Sequence, residues 1–409
     1  MKKIEFVSWS VLMAFLTACQ MGTVQHKNKP AIVSSKPDFS VKFNPVSKQY
    51  AQMVSDSAGS FFYKHLNLGD LNGMFLIAKN GQILVEHYQG FANEEMKVKM
   101  GPETPIHVAS ISKVITAITV LRLVDQGKIA LDKDIRSYIP EIPYEGVTVR
   151  SLLNHRSGIP YYGYFPIEVL PATLTLTNRS LVDLINRHRF PLYFPANTQF
   201  SYCNTNYALL AVIVEQVMHK PFPLAVDELV FEPLKMTHSF VYTTERENPT
   251  ISRSYNESGV QEPVTNLDIV YGDKNVYTTV RDLLLLDKAT YSNAFLSSSI
   301  REQLYKGYSY EHPGKSNYGL GMRMREEQGK SIFFFHTGWW HGNTGCYASL
   351  RADTVCMIVL SNHYTKKVFN LNKLATFFGN YPFEPLIDQK ENFIQPTAAK
   401  DHLKATLKQ

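Results

Sequence analysis

The chain has 409 residues, 44% hydrophobic and 19% charged, enough to bury a sizeable core and too apolar for a disordered chain. Its net charge of +6 is spread along the sequence, with no long basic run and no basic stripe interleaved with aromatics, so the composition argues against nucleic acid as a partner.

The N-terminus reads as an export signal. Lys2 and Lys3 precede an apolar stretch at 6–18, too short to span a bilayer as a stable anchor and suited to secretion. It ends in Leu16-Thr17-Ala18-Cys19, which resembles the bacterial lipobox, whose cysteine is lipidated and becomes the mature N-terminus. Residues 1–18 are thus expected to be a signal peptide. Residues 19–44, polar and without apolar period, are expected to be a tether. Without Cys19, the cysteines Cys203, Cys346 and Cys356 remain, an odd number, so at least one stays free or pairs between molecules. None has zinc-ligand spacing, and no metal or other cofactor is expected.

Pro45 suits the first turn of a helix over 45–65. Strands at 74–78 and 82–88 flank Asn80-Gly81, a strong hairpin signal. A helix over 110–126 follows, apolar over a wide arc and stopped by Gly127, and such a helix belongs in the interior. From about 147 to 268 the sequence changes to helices and long connections, including an apolar helix over 206–217. Strand-like text returns at 332–335, 345–351 and 355–361, with Ala352-Asp353 as the turn between the last two and a closing helix near 369–378. Strands at both ends with helices between them imply an α+β fold, an α/β sandwich with a central antiparallel sheet flanked by helices, plus an all-helical lobe. The expected domain spans 45–380, its sheet lobe formed by about 45–146 and 269–380 and its helical lobe by about 147–268, with 381–409 as a weakly packed tail.

Three constellations carry chemistry. Ser110-Ile111-Ser112-Lys113 opens the interior helix. Residues three apart share a helix face, so hydroxyl and amine can touch, and the free amides of a helix N-terminus favour negative charge. A lysine desolvated there can lose its proton and act as a general base. Tyr202-Cys203-Asn204 precedes the next apolar helix, where a phenol near an ammonium can relay a proton and the Asn204 amide can bind a substrate carbonyl or orient Lys113. His336-Thr337-Gly338 ends a strand and is followed by Trp339 and Trp340. The glycine lets substrate backbone lie along the strand, and the two indoles suit the wall of a cleft.

Serine-x-x-lysine, tyrosine-x-asparagine and histidine-threonine-glycine in this order resemble the serine β-lactamase and penicillin-binding protein superfamily, in its class C-like branch. Further similar stretches are Leu152-Leu153-Asn154-His155-Arg156-Ser157-Gly158, the run at 231–236, Tyr277-Thr278-Thr279 with Asp282, and Tyr318-Gly319-Leu320-Gly321-Met322. The resemblance implies Ser110 as the acylated nucleophile, Lys113 and Tyr202 as the base and acid pair, and Asn204 as a substrate contact. It also implies an oxyanion hole from the backbone amides of Ser110 and Trp339, with His336 helping to hold substrate. Class C β-lactamases carry lysine where His336 stands, and a neutral imidazole attracts a β-lactam carboxylate less, so weak antibiotic hydrolysis is expected. Cys203 and Lys235 also depart from the family pattern, away from the proton chemistry.

The expectation is a hydrolase in the bacterial cell envelope, lipid-anchored through Cys19, acting on a small-molecule or peptide substrate, peptidoglycan-derived peptides included. Gly314-Lys315-Ser316 lacks the upstream glycine of a phosphate loop, and His336 with His341 lacks a third metal ligand.

Overall fold

The computed structural model describes residues 38–67, 71–244, 251–312, 314, 316–327 and 330–383. The signal segment, Cys19, most of the tether and nearly all of the tail lie outside the described residues.

Asn80 and Gly81, at φ 51° and 70°, take the left-handed turn that asparagine and glycine tolerate best, and they join β1 (Gly73–Lys79) to β2 (Gln82–Gln89). The other strands are β3 (Ser316–Tyr318), β4 (Arg323–Glu327), β5 (Lys330–Trp340), β6 (Asn343–Leu350) and β7 (Val355–Ser361). They form one antiparallel sheet in the order β2-β1-β7-β6-β5-β4-β3. The chain's first strands therefore meet its last ones, with the helical segment looped out between them.

The period of two decides which core each strand residue enters. Met74, Leu76 and Ala78 of β1 share a face with Cys356, Ile358 and Leu360 of β7, and this face packs on the large core that holds the helical lobe. Phe75 and Ile77 join Val355, Met357 and Val359 on the other face, under α1 (Lys48–Phe61) and the closing segment Lys367–Phe377. The sheet is thus covered on both sides, as the sandwich reading requires.

The interior helix α2 (Ser112–Asp125) is buried from Ser112 to Leu121 without a solvent face. Gly127, at φ 69°, donates to the Val124 carbonyl and ends it. The helical lobe adds α3 (Asn178–His188) and α4 (Asn204–Met218), and α5 (Val280–Ala289) then returns the chain to the sheet. A small sheet of Ile106–His107, Val276–Thr278 and Phe240–Val241 stitches the lobes together beside the start of α2.

Several boundaries differ from the sequence reading. Pro45 stands ahead of the first helix, because Ser47 caps Lys48–Phe61 by accepting from the Tyr50 amide. The closing helix is a 3-10 segment. The tether was expected to run to Asn44, yet Phe39 is only 8% exposed and meets Phe295 edge-on at 5.3 Å, since an aromatic ring gains more from the core than from water. Residues expected in the tail pack too: Tyr381 donates to Asp353, and Phe383 lies 4.8 Å from Phe333. Cys203, Cys346 and Cys356 are all buried and unpaired.

Candidate active site

Ser110 sits in a 3-10 turn, Ala109–Ile111, that leads into α2. Ala109 holds φ 48°, a left-handed conformation that costs a residue with a Cβ about 1 kcal/mol. The turn is fastened from below. His107 Nδ1 accepts from the Ala109 amide at 3.2 Å, which leaves Nε2 to donate to Asn275 Oδ1 at 3.1 Å. Burial pushes this imidazole down to about 4, so it stays neutral and keeps both roles.

One helical turn on, the fully buried Lys113 places Nζ 3.0 Å from Ser110 Oγ and donates to the Asp273 carbonyl at 2.7 Å. Nζ also lies 5.1 Å from the centre of the Tyr202 ring and 5.7 Å from that of Tyr207. The hydroxyl and amine therefore touch at the mouth of the interior helix, and the Tyr202 ring, far away in sequence, comes alongside the amine.

Tyr202 rests on His155, ring centres 4.4 Å apart, and His155 Nδ1 accepts from the Cys203 amide at 3.2 Å. Burial first, then the positive charges of Lys113 and Arg323, hold His155 well below its ordinary value, so it acts as a neutral platform. Asn204, expected just ahead of a helix, is the first residue of α4. Its Nδ2 donates to Tyr161 Oη at 3.3 Å, and its Oδ1 is buried with no partner among the described residues. A buried amide oxygen without a donor is costly, and a substrate N–H would satisfy it.

Sequence reading placed the third motif at a strand end, but β5 runs on through Trp340. Beyond Phe335 it pairs with β6 alone, so among the described residues no strand covers the other edge of 337–340. A Cβ on Gly338 would stand 2.3 Å from the Val108 carbonyl oxygen, so only glycine lets this edge close on the Ser110 turn.

His336 departs from expectation. It is fully buried and does not line the cleft. Nδ1 donates to the Thr337 carbonyl at 2.8 Å and Nε2 accepts from Tyr318 Oη at 3.1 Å, which leaves no ring nitrogen for a substrate. Burial first, then Arg323 and Lys113, depress it well below the ordinary histidine value.

The cleft holds about 830 Å³ and is lined by Ser110, Tyr202, Asn204, Thr337, Gly338, Trp339 and Trp340. Trp339 is 63% exposed at its rim, whereas Trp340 is pinned by its Nε1 donating to Asp268 at 2.6 Å. Asp268 also takes His341 Nε2 at 2.9 Å, which gives that histidine a structural partner.

Two features escaped the sequence reading. Arg323 lines the cleft with its guanidinium carbon 4.6 Å from the Tyr202 ring centre, its Nε unbonded and no carboxylate paired with it among the described residues. It directly follows the Tyr318–Met322 stretch, which could have drawn attention to it. The second is the strip Gly272-Asp273-Lys274-Asn275, whose Gly272 and Asp273 carbonyls accept from Thr116 and Lys113 of α2. Its glycine and asparagine, at φ 94° and 74°, were a local hint.

This sheet, this interior helix and a serine in contact with a buried lysine together define a serine hydrolase of the β-lactamase and penicillin-binding protein class. Residues 66–377 match the Beta-lactamase family model, and the chain belongs to that family. It is similar to penicillin-binding protein 4* of Bacillus subtilis (strain 168), 28% identical over 71% of this chain and 68% of that protein. It also resembles a D-aminopeptidase of Gluconobacter oxydans (strain 621H), 24% identical over 80% of this chain and 61% of that one. Among solved structures, a penicillin-binding protein from Bacillus halodurans superposes with a TM-score of 0.66 at 22% identity, covering 80% of this chain and 98% of its own.

Proposed function

We propose that the protein is an exported hydrolase that forms an acyl-enzyme on Ser110 from a D-amino-acid peptide of peptidoglycan type, or from a small ester, and releases it to water. The 3.0 Å contact between Lys113 Nζ and Ser110 Oγ, under the Tyr202 ring, carries the reading. Oγ attacks the carbonyl carbon while its proton passes to the Lys113–Tyr202 pair. The Ser110 and Trp339 amides receive the oxyanion, the C–N or C–O bond breaks, and the leaving group takes the proton. A water then attacks the acyl ester, gives its proton to the same pair, and Oγ is restored.

The free edge of 337–340 suits an extended peptide laid alongside as an added strand, with Asn204 Oδ1 accepting one of its amides. Arg323 supplies the cation that His336 does not, so a carboxylate near the scissile bond finds a partner despite the missing lysine. Similarity to a D-aminopeptidase supports a D-amino-acid substrate. Incubation with a fluorophosphonate probe, a chromogenic ester, a D-alanyl peptide and a cephalosporin, with Ser110→Ala as control, tests the reading. Labelling and turnover lost together in Ser110→Ala are expected, with the cephalosporin turned over most slowly. Turnover that survives in Ser110→Ala would defeat the mechanism.

The lipobox-like Leu16-Thr17-Ala18-Cys19 supports a lipid anchor at the cell envelope. Metabolic labelling with a fatty-acid analogue should mark the chain and vanish in Cys19→Ala.

A further inference from the structure

Lys274 is a buried charge that the hydrolytic scheme leaves unused. Its Nζ donates to Tyr162 Oη at 2.7 Å, and that phenol donates to Asp273 Oδ2 at 2.7 Å. The ammonium lies 3.4 Å from Asp273 Oδ2 itself, 5.2 Å from the Tyr162 ring centre and 4.7 Å from that of Trp340. Both ions are buried, with side-chain exposures of 3% and 0%. Burying such a pair is expensive and adds little stability over an apolar filling, so its place behind Lys113 calls for another account.

Asp273 supplies it. Its carbonyl is the hook on Lys113, and its side chain is held by Tyr162 and Lys274, so the ammonium governs where that carbonyl stands. The same ammonium sits under the indole that walls the cleft, and Asp268 clamps that indole from its other end. We propose that Lys274 is a positioning residue for the hydrolysis: locked to Asp273 and Tyr162, it fixes the carbonyl that orients Lys113 and balances the Asp273 carboxylate behind it. This inference rests on the acyl-enzyme reading above.

The charged and titratable groups around Lys113 are Asp273 and Lys274 on the strip, Tyr202, Cys203 and Tyr207 from the helical lobe, His155 beneath, and Arg323 and His336 on the sheet. Those around Lys274 are Tyr162, Asp273, Asp268, Lys113 and His107. Burial lowers Lys274 from its ordinary value, Asp273 opposes this, and Lys113 adds to it, so the two amines sense each other. Removing the Lys274 charge leaves a carboxylate unbalanced behind Lys113. A negative charge left beside the reacting groups opposes the loss of a proton there, so the acid limb of the rate profile moves to higher pH.

The test measures kcat and kcat/KM for a neutral chromogenic ester against pH, with fluorophosphonate labelling of Ser110 alongside. Lys274→Met should lower kcat about tenfold with little change in KM, and raise the acid limb by about one pH unit. Adding Asp273→Asn to it should return the limb towards its original place, and Lys274→Arg should keep it there. Tyr162→Phe retains the ring and both charges, and should lower kcat without moving the limb, which keeps the proposal testable if Lys274→Met fails to fold. An acid limb unchanged in Lys274→Met, or a Tyr162→Phe enzyme with unaltered kcat, would overturn the proposal. A wild-type enzyme that neither labels at Ser110 nor turns over would overturn the hydrolase reading first, and this inference with it.

Discussion

The two ends of the cleft are built on opposite plans. At the inner end the buried Lys113 touches both Ser110 Oγ and the buried Asp273 carbonyl, and the imidazoles of His107 and His155 each accept from a backbone amide. At the outer end Trp339 is mostly solvent-exposed, and Arg323, Glu257 and Glu262 line the wall with no ion pair among the described residues. The inner end is pre-organised for bond making, where small displacements cost large factors in rate. The outer end keeps its groups open for a substrate to satisfy, and there a change alters which molecule binds.

The largest effect tests the inner end. Ser110→Ala should remove fluorophosphonate labelling and at least about a thousandfold of ester turnover. Gly338→Ala puts a methyl against the Val108 carbonyl and drives the β5 edge from the Ser110 turn. It should cost about a hundredfold in kcat, the size of loss seen when one oxyanion donor is misplaced, and lower the melting temperature by a few degrees because the clash is with backbone.

Arg323→Ala tests the outer end. KM for substrates with a free carboxylate beside the scissile bond should rise about tenfold, while a neutral ester keeps its kinetics. Equal losses on both would make Arg323 a support for Tyr202 and would dissolve the contrast between the ends.

Stability against pH probes the buried imidazoles of the inner end. Burial holds His155 and His336 well below their ordinary value and His107 at about 4, whereas in the unfolded chain they take protons below about pH 6.5. The unfolded state then binds more protons, so stability is full above pH 6.5 and falls as pH drops. The slope approaches about 1.4 kcal/mol per pH unit for each histidine. Urea midpoints between pH 5 and 8 measure this, and a flat profile would show that the rings are charged in the fold. The smallest effect is expected from Trp339→Ala, a few-fold rise in KM for an aromatic ester with no change in melting temperature, as suits an exposed ring.

How far the site could be read in advance follows the same division. Ser110 and Lys113 are three apart, and helix geometry alone brings them together. The glycine at 338 reads as room for substrate backbone, whereas the structure sets it against the Val108 carbonyl, which lies far away in sequence. Arg323 stayed hidden because an arginine on a strand of alternating burial looks like any solvated charge. Lys274 and Asp273 stayed hidden because adjacent opposite charges are ordinary on a surface, and only the packing of Tyr162 and Trp340 makes them interior. His336 was misjudged for a related reason. Its place in the motif suggested contact with substrate, while the hydroxyl of Tyr318 occupies its ring nitrogen.

What the sequence by itself determined is what depends on neighbours along the chain: the hairpin at Asn80-Gly81, the interior helix stopped by Gly127, and the serine of its leading turn set against the lysine at its start. Tertiary structure alone decided which cation faces the cleft, which histidine is shut away from it, and which buried ion pair stands behind Lys113. The reason is physical: local periodicity sets where a side chain leaves the backbone, but burial, charge pairing and hydrogen-bond satisfaction depend on groups that folding brings from the other end of the chain.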